Sequence, residues 1–430
     1  MIRWLALSLL LLTAAPCSAS AAPAKRLTLP NGLRLLLKSN WSTDVVAVEL
    51  LLDVSAEDEP AEQEGMRYLI QRLLLRGTAR ETGDSMGRRL AAVGGIADTT
   101  VGLDYVEIYA LVPVEGFETA LNLLADAARR PAFSPEEVEK QKVDAQELAR
   151  AARDEPFQET YLAFREALYR SHPYGALTLG IPSRLAAISR EDILRFHREN
   201  YVPNRAVISI CGGVGQARAM RAVRDAFGGW AEGQPERRRA LPAVTLRASE
   251  IAARERHLRR AHLILGFPAP AADETDYYIV QVIDSILSGG ATARLPRRLR
   301  EDLGLVYTVS SFYPTLAHDS HFGIYAVTEP HHLSTIKSAI IDVLDDLARH
   351  PVSQEELSRA KTYLLGSYAL SHQRMKEQAY SLAWYEILGL GVGFEGRYVE
   401  AIQSVAPEQV QEAADRILRH FVLAVTVPAT

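Results

Sequence analysis

Four arginines, Arg294, Arg297, Arg298 and Arg300, crowd one short stretch of this 430-residue chain, between Gly289-Gly290 and Tyr307. Guanidinium groups and a phenol can donate hydrogen bonds to a developing oxyanion or to a peptide backbone. The same residues also have a plain reading, since arginines on a short helix usually face solvent and a strand tyrosine usually packs. A second cluster is His318-x-x-His321 with His331-His332. Two histidines three apart in a loop before a strand can chelate a metal, although loop histidines are commonly solvated. His257 and His262 carry no ligand pattern. Gly289-Gly290 matches neither Gly-x-Gly-x-x-Gly nor a lysine-containing phosphate loop, so nucleotide binding is not expected. No serine or cysteine in a nucleophile setting is expected either.

The elements around the arginines are legible. Gly289 and Gly290 permit backbone angles that other residues avoid. Thr292 is a candidate N-cap, and Leu295 and Leu299 share a helical face. Gly304 stands where that helix would stop, and Val306–Tyr313 reads as a strand. Arg300 near the helix end and Tyr307 near the strand start would be aimed at one point by a fixed junction.

Upstream, Arg26–Leu29 and Leu33–Leu37 flank Pro30-Asn31-Gly32, a hairpin signal. Val45–Val54 is a buried strand, and Met66, Leu69, Ile70, Leu73 and Leu74 mark a helix over about 64–76. A helix near Ser85–Val93, strands near Ile96–Val101 and Tyr105–Val112, and a helix over Phe117–Arg129 follow. Ser134-Pro135-Glu136-Glu137 reads as a capping box opening a helix to about Ala152. Another helix, Gln158–Tyr169, leads to a strand over Ala206–Cys211. The pattern then repeats. Ile108-Tyr109-Ala110, a helix, Ala128-Arg-Arg-Pro131 and Ser134-x-x-Glu137 are answered by Ile324-Tyr325-Ala326, a helix, Ala348-Arg-His-Pro351 and Ser353-x-x-Glu356. This is an internal duplication. The expected fold class is α+β, two similar halves of sheet covered by helices. The expected division is a leader over 1–21, a first half over 22–227, a polar, breaker-rich linker over 228–242 and a second half over 243–430.

A net charge of -5 gives no sign of a nucleic-acid binder. Arg3, the apolar run Trp4–Ala14 and Ala19-Ser20-Ala21 read as an export signal. That run falls short of the roughly 20 residues needed to span a bilayer, and no later stretch reaches that length. Export to the periplasm of a Gram-negative cell is the expectation. Cys17 leaves a lipidated leader open, although Pro16 is a poor neighbour for one. Once the leader is removed, Cys211 has no disulfide partner and reads as core.

Gly-Gly, small residues, Arg-Leu, Leu-Arg-Glu and then Gly-Leu-Val-Tyr-Thr-Val-Ser resemble the C-terminal signature of the pitrilysin/insulinase family of inverzincin peptidases. The resemblance covers essentially all of the chain beyond the leader. It implies two α/β halves joined by a linker and facing each other across a cavity. It also implies that Arg300 and Tyr307 bind substrate backbone and steady the tetrahedral intermediate, with Gly289 and Gly290 at the substrate. Active members carry His-x-x-Glu-His on a first-half helix, where two histidines four apart grip zinc and the glutamate acts on the bound water. Here Tyr68 and Arg72 occupy the histidine positions and Gln71 the general-base position. Glu147 matches the distal glutamate ligand, while Lys140 stands where a further glutamate is common. Guanidinium offers no lone pair, and glutamine takes no proton from water. The chain is therefore expected to hold no zinc itself.

Loss of the first-half chemistry with retention of Arg300 and Tyr307 resembles the zinc-less subunit of heterodimeric bacterial and mitochondrial processing peptidases. That implies a zinc-bearing homologous partner, a peptide or unfolded polypeptide substrate, and peptide hydrolysis by the pair only. The competing reading is a catalytically inactive peptide-binding or scaffold homologue, taking extended peptides at an open sheet edge. A weaker third reading is independent activity from a metal bound elsewhere.

Overall fold

The computed structural model describes residues 23–234 and 241–429. The expected leader with Cys17, and the middle of the expected linker, lie outside the described residues.

Near-continuous apolar runs become strands buried on both faces, and alternating ones become edges. The first sheet contains β1 (Lys25–Thr28), β2 (Arg34–Ser39), β3 (Val45–Leu52), β4 (Ile96–Val101), β5 (Val106–Pro113) and β6 (Ala206–Gly212), in the order β1-β2-β6-β3-β5-β4. The second contains β7 (Glu250–Arg256), β8 (Ala261–Ala269), β9 (Thr308–Phe312), β10 (Ser320–Thr328) and β11 (Val422–Pro428), in the order β7-β11-β8-β10-β9. From β2 onward the two sheets superimpose in topology. β2 runs parallel to β6 and β7 parallel to β11, and every other pair is antiparallel. The two halves are thus homologous α/β layers, and β4 and β9 are corresponding open edges. The chain has two mixed sheets among many helices, as the α+β reading expected.

Each half lends a helix to the other. The helix Pro156–Tyr169 leaves the first half and lies on β8 and β11 of the second sheet, while Met375–Ile387 lies on β3 and β6 of the first. Phe164 is fully buried against β8, where a Cβ on Gly266 would fall 2.2 Å from its ring. Burying such a ring stabilises by about 2–3 kcal/mol. Leu36, Ala47, Val207 and Cys211 of the first sheet share one core with Ala379, Leu382 and Ala383 of the second half. Cys211 is therefore core, as expected, and burial pushes its thiol up to about 12. Nothing in the apolar pattern of either helix says which sheet it covers, so the exchange was not expected.

Several local expectations shift. The helix expected over 64–76 is Met66–Leu74, opened by Gly65 in a left-handed conformation (φ +98°). Only one arm of the expected capping box forms. Ser134 Oγ accepts from the Glu137 N–H at 3.4 Å, while Glu137 Oε2 is buried without a partner. Thr292 does not cap its helix, because Pro296–Asp302 is a widened π-type turn entered through Leu295 with no side-chain cap.

Candidate functional site

In the first half, the helix Met66–Leu74 packs on Pro135–Asp154. Gln71 is buried and donates Nε2–H to Tyr201 Oη at 2.9 Å. Its Oε1 is buried with no partner. Arg72 donates Nε–H to Gln141 Oε1 at 3.0 Å, and its Nη2 lies 3.8 Å from Asp144 Oδ2. Gln141 in turn donates to Asp144 at 3.3 Å. Tyr68 is half-buried, and burial pushes its phenol up, with the Arg72 guanidinium opposing. Lys140 and Glu147 are exposed.

A protonated phenol, an amide already donating to Tyr201 and a guanidinium tied to the neighbouring helix do not fit a zinc ion. The Arg72 cation bridges the two helices through Gln141 and Asp144. Gln141 and Asp144, three residues apart on the second helix, were missed in the sequence. Their signal is the three-residue spacing that places the two on one helical face.

The second-half residues are arranged differently. Arg294 is a structural tie, with Nε and Nη2 on both oxygens of Glu356 at 2.7 and 2.8 Å and Nη1 on Asp346 at 3.0 Å. Hydrogen bonds to Glu356 raise its pKa. Arg297, Arg298 and Arg300 are exposed, and the Arg300 side chain has no hydrogen bond or ion pair among the described residues. Tyr307 is 54% exposed. Its Oη donates to Glu329 Oε1 at 3.2 Å, and the Arg260 guanidinium stacks 3.4 Å from the ring centroid. Arg260 and Glu329 carry no motif, and only the fold brings them to Tyr307. The junction between Arg300 and Tyr307 is fixed by backbone bonds. Leu305 N–H reaches Leu299 C=O at 3.1 Å, and Tyr307 N–H reaches Val327 C=O at 3.0 Å. Gly304 turns between them at φ +65°.

Gly289 and Gly290 end the helix Asp276–Ser288. A Cβ at Gly289 would meet the Ser285 carbonyl at 2.4 Å and Tyr363 at 2.9 Å, so close packing alone accounts for that glycine.

The histidine cluster disperses. His321 is fully buried at the start of β10, with Nε2 2.8 Å from Tyr161 Oη and Nδ1 2.8 Å from Tyr169 Oη. Burial holds its pKa down to about 3. His318 instead pairs with Glu57 of the first half at 2.7 Å. The His-x-x-His spacing is therefore not a chelate but a seam between the halves. Among the described residues, no three His, Cys, Asp or Glu side chains gather as a metal group.

Two short patterns that the sequence reading passed over also lack their structural context. Gly83-Asp84-Ser85-Met86-Gly87 has nucleophile-elbow spacing, but Ser85 lies within the helix Gly83–Ala91 and donates to Glu81 at 2.8 Å. Gly391-x-Gly393-x-x-Gly396 falls between two helices, not between a strand and a helix.

Family models match both halves: "Insulinase (Peptidase family M16)" over residues 34–180 and "Peptidase M16 inactive domain" over residues 187–364. The chain belongs to the M16 peptidase family. An uncharacterized zinc protease of Rickettsia felis is 27% identical over 391 residues, covering 90% of each chain. A protease from Helicobacter pylori shares the fold with a TM-score of 0.89 at 18% identity, covering 94% of this chain and 100% of its own. A peptidase M16 inactive domain from Pseudomonas fluorescens does so with a TM-score of 0.88 at 19% identity, covering 95% and 98%. The zinc in the Rickettsia name belongs to that relative.

Proposed function

We propose that this M16 homologue is the zinc-less subunit of an exported heterodimeric peptidase, active only with a partner that carries His-x-x-Glu-His. The observation that carries the reading is the occupancy of Arg72 by Gln141 and Asp144, set against the exposure of Arg300 and Tyr307. The partner's metal supplies the Lewis-acid chemistry. This chain contributes hydrogen-bond donors to the peptide backbone and to the negative charge that develops on its carbonyl. Tyr307 donates to Glu329 at rest, so its hydroxyl has to turn from that carboxylate to a substrate carbonyl, leaving partly exposed Glu329 to Arg260, 3.9 Å away, and to water.

The test is reconstitution. This chain, a zinc-bearing homologue and their mixture are assayed on an unfolded polypeptide, and copurification and export of the pair are followed in cells. Hydrolysis that appears only in the mixture supports the subunit reading. Hydrolysis by the partner alone at the same rate ends it.

The alternative, an inactive peptide-binding homologue, draws on the open edge β4. Its alternating residues are all at least partly exposed, with Ile96 at 59%. Peptide capture without any gain in hydrolysis would favour it.

A further inference from the structure

The helices Asp276–Ser288, Gln354–Ser371 and Met375–Ile387 enclose a cavity of about 340 Å³ whose lining contains no aliphatic side chain and no Asp, Glu, Lys or Arg. Its walls are Tyr277, Tyr368, Tyr380, Tyr385, Tyr398 and Trp384, and exposed Ser371 stands at its rim. Several of the hydroxyls bond one another or the backbone within the wall. Tyr380 donates to Tyr105 at 2.8 Å, Tyr368 and Tyr385 share a bond at 3.1 Å, Tyr277 pairs with Thr315 at 2.8 Å, and Ser371 donates to the Tyr368 carbonyl at 2.8 Å. Each of these oxygens keeps a lone pair free to accept.

His372 adds an acceptor of the same kind. Its Nδ1 lies 2.8 Å from the Tyr368 carbonyl, which can only accept, so the proton sits on Nδ1. Nε2 is then a lone pair, buried and without a partner. The box thus presents negative ring faces and unfilled acceptors, and its lining carries no cationic side chain, its own donors being the neutral groups of Gln281, Trp384 and Ser381. Burial raises the phenols of Tyr277, Tyr368, Tyr385 and Tyr398, so they stay neutral. Glu395 reinforces the shift at Tyr368 and Tyr385, and Asp284 does so at Tyr398.

The duplication supplies a comparison. Counted from the paired N-caps Ser134 and Ser353, His372 stands where the first half has Arg153. The corresponding first-half cavity is only about 110 Å³ and is lined by Arg153 and Arg165. Arg165 sits 5.5 Å from the Tyr161 ring centroid. The first half fills this place with its own guanidinium groups, and the second half leaves it open.

We infer that the tyrosine box binds a donor-rich cation, the guanidinium or ammonium of an Arg or Lys side chain carried on a peptide. This deepens the reading of the second half as the peptide-holding one. It is a property of this chain alone, however, so binding is measured without a partner, and its failure is distinct from failed reconstitution.

The purified full chain is titrated calorimetrically, and by Trp384 fluorescence, with blocked Gly-Arg-Gly, its citrulline counterpart and free arginine. Citrulline keeps the shape and donors but loses the charge. The arginine peptide should bind roughly tenfold or more tightly than the citrulline peptide and more tightly than free arginine. Ser371→Arg, which places a resident cation at the exposed rim, should weaken peptide binding by roughly tenfold. Tyr368→Phe, which removes one acceptor oxygen and keeps the ring, should weaken it by about threefold. Equal binding of the citrulline peptide, indifference to Ser371→Arg, or no binding at millimolar peptide would overturn the assignment. Free arginine binding as well as the peptide would overturn a peptide as its source.

Discussion

The helix Met66–Leu74 and the turn from Arg294 to Tyr307 lie at different places in two halves built on one plan, and their polar side chains have opposite fates. In the first, Gln71 and Arg72 are consumed by Tyr201, Gln141 and Asp144. In the second, one arginine of four, Arg294, is fixed by carboxylates, and Arg300 is left exposed. A polar group that satisfies its neighbours holds the fold together, whereas one that projects from a rigid junction is available to a ligand. Residue type alone does not separate the two, since arginine plays both parts.

The sharpest way to break this contrast is to mutate both sides. Arg300→Ala with Tyr307→Phe should lower turnover of the reconstituted pair by roughly a thousandfold, on the scale of losing oxyanion donors, with an unchanged melting temperature. Tyr68→Phe with Arg72→Gln should leave turnover within about threefold. If the two double variants behave alike, the contrast has no functional meaning.

The exchanged helices extend the comparison to pH. Burial between Tyr161 and Tyr169 holds the His321 imidazole down to about 3, from 6.5 in the unfolded chain. Below 6.5 the unfolded chain takes up a proton that the folded chain refuses, so stability falls as pH falls, by about 3 kcal/mol between pH 6.5 and 4. Urea midpoints for His321→Gln, which keeps a donor and an acceptor for the tyrosines, should lack that slope.

The other seam has the opposite sign. Burial, and then Glu107, raise the Glu49 carboxyl well above 4.5, with Lys376 opposing. There the folded state holds the proton longer than the unfolded state, so stability falls as pH rises from 4.5. Glu49→Gln should remove this loss, and an unaltered pH profile would show that Glu49 is not the group responsible.

The smallest effect is expected at Arg72→Ala, about 1 kcal/mol by thermal or urea unfolding, because the pair with Asp144 is partly solvent-exposed. A loss several times larger would mean that the guanidinium bridge organises the whole first-half helix pair.

Much of this was readable beforehand. The hairpin around Pro30-Asn31-Gly32, the strand from Val45 and the repeat of Ser134-x-x-Glu137 as Ser353-x-x-Glu356 follow from local spacing, whereas Tyr68, Gln71 and Arg72 were singled out by the family resemblance alone. What escaped depends on distance in sequence. His321 looked like one of a pair with His318 because three-residue spacing is a local fact, while the tyrosines that bury it arrive from a helix of the other half. Arg260 and Glu329 reach Tyr307 through the neighbouring strand ends. The missing arm of the Ser134 box turns on one carboxylate orientation that no pattern encodes.

The lending of Pro156–Tyr169 and Met375–Ile387 across the molecule bears on how the chain can come apart. A protease that nicks the backbone between Trp230 and Pro242 would sever the covalent link yet free neither piece, since each would still be clasped by an arm of the other. Expressed separately, either fragment would leave a wide greasy face bare and should fall out of solution, whereas coexpressed fragments should find each other and behave as the intact chain does.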